Sequence, residues 1–268
     1  MRTLMPVKTA GNKPPLFCVN GEPLKMAQFL PPDQPLYGLC DAYHPHFNPP
    51  EKIQQLAEMY VREIQLVQPQ GPYYIIGFSI GGLIAWEVAH QLVERGEDIA
   101  YLGMIDPSFP EVGGTNKDWA RHRADWVKNN LAEKGSRIRN IGRVVKRIGS
   151  SLAAQSHTRY RLFKVFMYET LGKELPIDLR RIRCNGPIRR SLQGFDYEPV
   201  DIGGVVFHTE TLRAGSEEEY TKYWNGILTR GAEIRIMEGI KKHLEFLEDE
   251  HLSRVTDMIN QDITARHS

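Results

Sequence analysis

The sequence predicts an α/β protein with a mostly parallel central sheet flanked by helices. Short apolar runs that suit buried strands alternate with amphipathic segments along residues 16–105 and again along residues 204–263. Strands that alternate with helices form parallel sheets through right-handed crossovers. Residues 111–199 interrupt this alternation with helical patterns and no convincing buried strand. We therefore predict a single domain over 1–268, with a core at 1–110 and 200–268 and a helical insertion at 111–199.

The first half of the core alternates strands with helices. Residues 1–15 are polar and contain prolines, so we expect a lead-in to the fold. Tyr73–Ile76 consists of β-branched and aromatic residues, which suit a buried strand. The predicted elements in chain order are strand Leu16–Val19, a short helix near Met26–Leu30, strand Leu36–Cys40, helix Glu51–Val67, strand Tyr73–Ile76, helix Leu83–Leu92 and strand Ile99–Ile105.

The second half of the core resumes the same pattern after the insertion. Tyr220, Tyr223, Trp224 and Ile227 share one side of a predicted helix. The predicted elements are strand Gly204–His208, helix Glu217–Leu228, strand Glu233–Met237, a loop at Glu238–Lys242 and a final helix at Leu244–Ile263.

The composition is typical of a soluble globular protein, with 41% hydrophobic and 25% charged residues. No apolar run approaches the ~20 residues of a membrane span, and the N-terminus has no visible signal peptide. The three cysteines, Cys18, Cys40 and Cys184, are odd in number and lack metal-like spacing, which favours a reducing cytoplasm. His44 and His46 have no carboxylate or thiol neighbours, so we predict no metal site there.

Positive charge is concentrated in the insertion. The formal net charge of the chain is +1, yet residues 117–190 contain 19 Lys and Arg and only 6 Asp and Glu. The rest of the chain carries 15 Lys and Arg against 27 Asp and Glu, so a basic insertion lies within an acidic protein. The basic stretch contains no nucleic-acid recognition motif, so we expect no nucleic-acid partner.

A candidate nucleophile lies at Ser79. Gly77–Gly81 fits the G-x-S-x-G pattern between a predicted strand and a predicted helix. The glycines on either side let neighbouring backbone pass close to a serine on a strained turn. The start of the following helix lies beneath Ser79, where its dipole favours developing negative charge.

A serine hydroxyl needs a base within hydrogen-bond reach, which is usually a histidine oriented by a carboxylate. His243 fits this role because it follows the last predicted strand and precedes the closing helix. Five other histidines are less suitable: His90 inside the helix after Ser79, His122 and His157 in the insertion, His208 inside a strand, where a core role is expected, and His251 in the final helix.

Two carboxylates compete for the acid. Asp106 directly follows the strand after the Ser79 helix, and Pro107 stiffens the turn there. Glu210 follows the first strand after the insertion, in a polar run that suggests surface. Both lie at the carboxyl ends of strands, where active sites gather in open α/β sheets. We favour Asp106.

A tetrahedral oxyanion needs two backbone N–H donors. We expect one from Ile80, the residue after the nucleophile. The second is expected from the loop after the first core strand, at Gly21 or Glu22.

Five segments together resemble the thioesterase domains of nonribosomal peptide and polyketide synthetases: Leu16–Pro23, Gly77–Gly82, Glu87–Leu92, Met104–Pro107 and Gly239–His243. The resemblance runs over nearly the whole chain and is weakest in the insertion. In this family the acid follows the strand after the Ser79 helix, which maps onto Asp106, and the base maps onto His243.

The resemblance implies an α/β-hydrolase fold with a helical lid insertion. It implies an acyl or peptidyl chain held as a thioester on the phosphopantetheine arm of a carrier protein, and its release by hydrolysis or cyclisation. The arm belongs to the carrier, so no cofactor is expected. We expect an acyl or peptidyl carrier protein or domain as partner. Docking of the carrier is one explanation of the basic insertion; solvated helix faces and incidental affinity for anions are two others. Two other possibilities stay open: a general ester hydrolase or lipase, and a non-catalytic binding module on the same scaffold.

Overall fold

The computed structural model describes residues 3–44, 47–107, 160–192, 195, 197–210 and 217–267. Its strands are β1 (Leu4–Lys8), β2 (Leu16–Val19), β3 (Leu36–Leu39), β4 (Tyr73–Phe78), β5 (Ile99–Ile105), β6 (Gly204–Thr209) and β7 (Ala232–Met237). Its helices are α1 (Pro23–Met26), α2 (Ile53–Val67), α3 (Ile80–Glu94), α4 (described over 160–170), α5 (Ile177–Ser191), α6 (Glu217–Ile227) and α7 (Asp249–His267). Two 3-10 helices lie at Asp41–Tyr43 and His243–Leu247.

The strands form one seven-stranded sheet in the order β1-β3-β2-β4-β5-β6-β7. β1 runs antiparallel to β3, and every other neighbouring pair is parallel. This arrangement confirms the predicted α/β class with a mostly parallel sheet. The carboxyl ends of β2, β4, β5, β6 and β7 therefore meet at one edge of the sheet, where the loops that follow them can share a site.

Helices cover both faces of the sheet. The alternation along β4 shows this directly, because Tyr73 and Ile75 pack in one hydrophobic cluster and Tyr74 and Ile76 in the other. The first cluster includes residues of α2, α3, α5 and α6, and the second includes residues of α1 and α7. Both faces of the central strands are thus buried, as their continuous apolar sequences predict.

Three local predictions differ from the structure. The expected lead-in contains the strand β1. This strand pairs with β3 at the edge of the sheet, where fewer apolar residues are needed than in the buried centre, so its sequence has no clear strand pattern. The first helix occupies Pro23–Met26, because Pro23 suits the first turn of a helix. The segment from His243 to Leu247 is a 3-10 helix, and α7 begins only at Asp249.

The described part of the insertion contains α4 and α5, and α5 is joined to the core. Cys184 and Ile188 of α5 are buried within the cluster that contains α2 and α3. Arg183 Nη2 donates to the backbone oxygen of Phe47 at 2.8 Å, and Ser191 Oγ accepts from Ile53 N–H at 3.2 Å. Residues 108–159, which carry much of the basic charge, lie outside the described residues.

No helix within the described ranges is long and apolar enough to cross a membrane.

The buried carboxyl group of Asp41 predicts a pH-dependent stability. Burial raises its pKa from 3.8 to about 7, although Tyr60 OH donates to Oδ1 at 2.6 Å. The unfolded chain therefore releases this proton near pH 4 while the folded chain retains it, and the contribution of Asp41 to stability is lost as pH rises from about 4 to 7. At about 1.4 kcal/mol per pKa unit, the loss reaches about 4 kcal/mol.

We expect Asp41→Asn to be more stable than wild type at pH 8 and close to it at pH 4.5. Urea unfolding of both proteins across this range measures the difference, which isolates Asp41 from other titrating groups. A difference that is independent of pH would contradict the assignment.

Candidate active site

Ser79 occupies the turn between β4 and α3. Its φ of 58° and ψ of −124° are rare for a residue other than glycine. The turn is held from the neighbouring strand, since Ser79 N–H donates to the oxygen of Ile105 at 2.8 Å. Ser79 is 8% exposed, so it is almost completely buried at the carboxyl edge of the sheet.

The glycines around Ser79 are explained by close backbone contacts. A Cβ on Gly77 would lie 2.1 Å from the oxygen of Gly81, and a Cβ on Gly81 would lie 2.2 Å from the oxygen of Val19. Either contact is far inside van der Waals distance. The second one brings the end of β2, and hence the loop that follows it, against the start of α3.

Asp106 follows the last residue of β5, and its buried backbone has a φ of 40°. Phe78 and Ile105 are paired across β4 and β5, so Ser79 and Asp106 are the next positions on two adjacent strands. Asp106 N–H donates to the oxygen of Phe207 at 2.7 Å. The backbone of Asp106 is therefore fixed between the strand that carries Ser79 and strand β6.

The structure brings His243 to Asp106. His243 Nδ1 lies 2.5 Å from Asp106 Oδ2, and the imidazole stacks on the ring of Phe78 with centroids 4.6 Å apart and planes 14° apart. A proton on Nδ1 faces the carboxylate in this geometry, which leaves Nε2 as the acceptor that a general base needs. Phe78 precedes Ser79, so the stacking places the imidazole beside the turn at Ser79.

No hydrogen bond joins the Ser79 hydroxyl to His243 among the described residues. Such contacts in serine hydrolases are commonly longer without substrate and tighten when it binds.

Glu210, the competing acid, supports the loop that carries His243. Its Oε2 accepts from Gly239 N–H at 2.9 Å, and its own N–H donates to the oxygen of Ile240 at 2.7 Å. Gly239 has a φ of 84°, a conformation that favours glycine. The two carboxylates thus have different contacts: Asp106 meets the imidazole, and Glu210 meets the backbone of its loop.

A second histidine lies on the other oxygen of Asp106. His208 Nδ1 is 3.5 Å from Asp106 Oδ1, and the ring meets Tyr220 edge to face with centroids 4.6 Å apart. His208 is 3% exposed, and its buried Nε2 has no hydrogen-bond partner among the described residues. A proton on Nδ1 would face the carboxylate of Asp106, whereas an N–H at Nε2 would be buried without an acceptor among the described residues. The sequence interpretation of His208 as a core residue missed this contact; the pairing of Ile105 with Phe207 would have indicated it, because Asp106 and His208 follow those residues.

We expect His208 to help hold the carboxylate of Asp106 in place. His208→Phe should lower the rate at which a fluorophosphonate probe labels Ser79 by roughly tenfold, since small misplacements of catalytic groups cost that much or more. His208→Asn, whose amide can still donate, should keep most of the rate. Equal labelling of wild type and His208→Phe would show that His208 only fills space.

The expected oxyanion donors are the backbone N–H groups of Ile80, Gly21 and Glu22. None of them donates a hydrogen bond to another described residue. Gly21 has a φ of 75°, and a Cβ on it would lie 3.2 Å from Phe78 Cβ. The loop after β2 therefore runs beside the residue that precedes Ser79. The loop is therefore close enough to the Ser79 turn to be considered as the source of a second donor.

The other histidines lie elsewhere. His90 stacks on Trp86 within α3, and His44 Nε2 contacts the oxygen of Thr3 at 3.1 Å. His251 is in α7. His46, His122 and His157 lie outside the described residues. Within the described part of the chain, no three His, Cys, Asp or Glu side chains are grouped as metal ligands would be.

Comparison with known proteins finds a similarity to one type of domain over part of the chain. Residues 24–145 match a family model described as Thioesterase domain. The chain is 37% identical over 112 residues to malpinin synthetase of Mortierella alpina, an alignment that covers 38% of this chain and 1% of the synthetase. It is 43% identical over 84 residues to a non-reducing polyketide synthase of Cladonia grayi, covering 30% of this chain and 4% of the synthase. The chain thus spans a few per cent of the length of these relatives.

Among solved structures, the NocB thioesterase domain in covalent complex with a fluorophosphonate nocardicin G analog superimposes with a TM-score of 0.63. The match covers 98% of this chain and all of that one, at 17% identity. Likeness at this identity shows the fold, which is the α/β-hydrolase fold. These findings confirm the resemblance to thioesterase domains of nonribosomal peptide and polyketide synthetases.

Proposed function

We propose that the chain is a serine thioesterase. It releases an acyl, polyketide or peptidyl chain from the phosphopantetheine arm of a carrier protein through an ester on Ser79. The observation that carries this proposal is the contact between His243 and the buried carboxylate of Asp106, with Nδ1 and Oδ2 2.5 Å apart, beside the strained turn of Ser79. The family match and the synthetase relatives support thioesters as the substrate class.

The first half of the reaction transfers the chain to Ser79. Ser79 Oγ attacks the thioester carbonyl carbon while His243 Nε2 accepts the hydroxyl proton. The carbonyl oxygen becomes an oxyanion that accepts from Ile80 N–H and from the loop at Gly21 or Glu22. The carbon–sulfur bond then breaks, and His243 returns the proton to the departing pantetheine sulfur. Asp106 holds the imidazole and stabilises its positive charge throughout.

The second half releases the chain. Water, or a nucleophile within the bound chain, attacks the Ser79 ester while His243 again accepts a proton. The ester oxygen leaves as the Ser79 hydroxyl, and the product is an acid or a ring. The chemistry needs no cofactor of the thioesterase itself, because the reactive thioester belongs to the carrier.

We propose an acyl or peptidyl carrier as the partner, attracted by the basic insertion at 111–199. Ion pairs within the described part of the insertion reduce the positive charge that is available to a carrier. Arg161 pairs with Asp178 at 3.2 Å, and Arg181 pairs with Glu22 at 2.6 Å, so part of the positive charge is already neutralised within the fold. Attraction of an acidic carrier would then rest on the remaining Lys and Arg residues.

The dependence of KM on salt concentration tests the carrier proposal. The KM for a carrier-bound thioester should rise roughly threefold to tenfold between about 50 and about 300 mM NaCl, because screening weakens attraction between surfaces. The KM for hexanoyl-pantetheine, which carries no protein, should change little. Equal responses of the two substrates would exclude electrostatic docking.

The central test is the intact mass of the protein after mixing with a panel of acyl-pantetheine thioesters. A transient acyl adduct together with thiol release would support the thioesterase. Rapid turnover of simple oxygen esters without reaction of thioesters would instead favour a general ester hydrolase. A lack of adduct and turnover, also with carrier-bound thioesters, would favour the non-catalytic binding module.

A further inference from the structure

An ion pair joins the insertion to the loop after β2. Arg181 Nη2 of α5 lies 2.6 Å from Glu22 Oε1. Tyr43, at the end of the 3-10 helix Asp41–Tyr43, donates its hydroxyl to Glu22 Oε2 at 3.1 Å. One carboxylate therefore receives a side chain from the insertion on one oxygen and a side chain from the core on the other.

Both residues that contact the Glu22 side chain lie on elements that are packed against the core. α5 packs on the 3-10 helix and buries Cys184 in the core, and Arg183 ties it to the backbone of Phe47. Asp41, at the start of the 3-10 helix, accepts from the buried Tyr60 of α2. Arg181 and Tyr43 therefore hold the carboxylate of Glu22 from two fixed directions.

The backbone of this loop has few other restraints. Asn20 and Gly21 have φ values of 59° and 75°, outside the region that most residues prefer. The loop leaves the sheet at Asn20, whose N–H donates to the oxygen of Leu39 at 3.0 Å. Two backbone oxygens of the loop accept hydrogen bonds: that of Asn20 from the Cys18 thiol at 3.3 Å, and that of Glu22 from Lys25 and Met26 at the start of α1. The N–H groups between these points, at Gly21 and Glu22, have no recorded acceptor among the described residues.

We propose that Arg181 and Tyr43 are positioning residues for the second oxyanion donor, acting through the side chain of Glu22. This inference rests on the proposed function and on the assignment of that donor to Gly21 or Glu22. By fixing the carboxylate, the two residues orient the backbone N–H of the loop toward the oxyanion. The insertion thereby takes part in transition-state stabilisation from a position in α5, without touching the substrate.

Loss of Arg181 should act on the transition state more than on substrate binding. We expect Arg181→Met to lower kcat for hexanoyl-pantetheine about fivefold to twentyfold with little change in KM, below the ~10²–10³-fold cost of removing an oxyanion donor outright. Tyr43→Phe should give a smaller decrease. The melting temperature should hardly move, because partly exposed ion pairs contribute little to stability.

The affinity for a transition-state analogue distinguishes a positioning role of Arg181 from a purely structural one, which would leave that affinity unchanged. Butylboronic acid forms a tetrahedral adduct on a serine and places a negatively charged oxygen where the oxyanion forms. Its inhibition constant should rise across the variants in proportion to the fall in kcat/KM. The pair itself is tested by Glu22→Arg combined with Arg181→Glu, which should recover much of the loss. Arg190→Met, an exposed arginine on the same helix, is the matched control and should behave as wild type toward hexanoyl-pantetheine and butylboronic acid, which involve no carrier protein.

The outcomes separate the two proposals. If wild type neither hydrolyses the thioester nor binds the boronic acid, the proposed function fails, and the positioning role fails with it. If wild type is active and Arg181→Met matches it in kcat and in boronic acid affinity, only the positioning role is overturned. A rise in KM alone, with the boronic acid affinity unchanged, would also overturn it, because the ion pair would then serve substrate entry.

Discussion

Ser79→Ala is expected to lower kcat for hexanoyl-pantetheine by about 10⁴–10⁶-fold and to abolish the acyl adduct. Without the hydroxyl there is no atom to form the ester, and only substrate binding and the oxyanion donors remain to assist attack by water. The fold should survive, because the strained backbone of Ser79 is held by its hydrogen bond to Ile105 rather than by its side chain. Release of free thiol, followed with a thiol reagent, measures the rate.

A control distinguishes this effect from general damage. Ser253→Ala removes a hydroxyl from α7 and should leave both the rate and the adduct unchanged. An acyl adduct that persists on Ser79→Ala would place the nucleophile elsewhere. A Ser79→Ala protein that keeps more than a few per cent of the activity would exclude the ester mechanism.

Asp106→Asn is expected to lower kcat by about 10⁴-fold. An amide in place of Oδ2 can donate to Nδ1 of His243, which favours the tautomer with its proton on Nε2. That nitrogen can then no longer accept the proton of Ser79. The buried position of Asp106, 2% exposed in its side chain, leaves no water to substitute for the carboxylate.

Glu210, the other candidate acid, provides the variant to compare with Asp106→Asn. Glu210→Gln keeps a carbonyl oxygen for the N–H of Gly239, so we expect a change of less than about threefold in kcat. Kinetics of both variants at one pH, with melting temperatures as a check on folding, decide between the acids. A severe loss in Glu210→Gln together with a mild loss in Asp106→Asn would reverse their roles.

Much of the candidate site could be predicted because each of its parts has a local signal. Ser79 lies in a five-residue pattern between a strand and a helix, and Asp106 follows a strand directly. His243 follows the last strand and a loop. These positions depend on chain order and on the common edge of a parallel sheet, both of which the alternation of elements predicts.

The missed contacts depend on distant parts of the chain. His208 meets Asp106 only because β6 lies beside β5 in a particular register, and no local pattern fixes that register. Arg181 meets Glu22 across 159 residues. The strand β1 was missed because an edge strand buries less apolar surface and so shows weaker periodicity.

The point at which the insertion leaves the core has a consequence for evolution. Ser79 and Asp106 belong to one β4–α3–β5 unit, and the insertion departs only after it, to return at β6 beside the strand that it left. The entropy cost of closing a flexible connection grows with the logarithm of its length, by about 0.6 kcal/mol per doubling. A change in the length of the chain between Pro107 and α4 is therefore expected to be thermodynamically inexpensive, whereas α5 is held by its packing on the core. Such a layout would let one α/β-hydrolase core acquire new substrate ranges through changes in that segment.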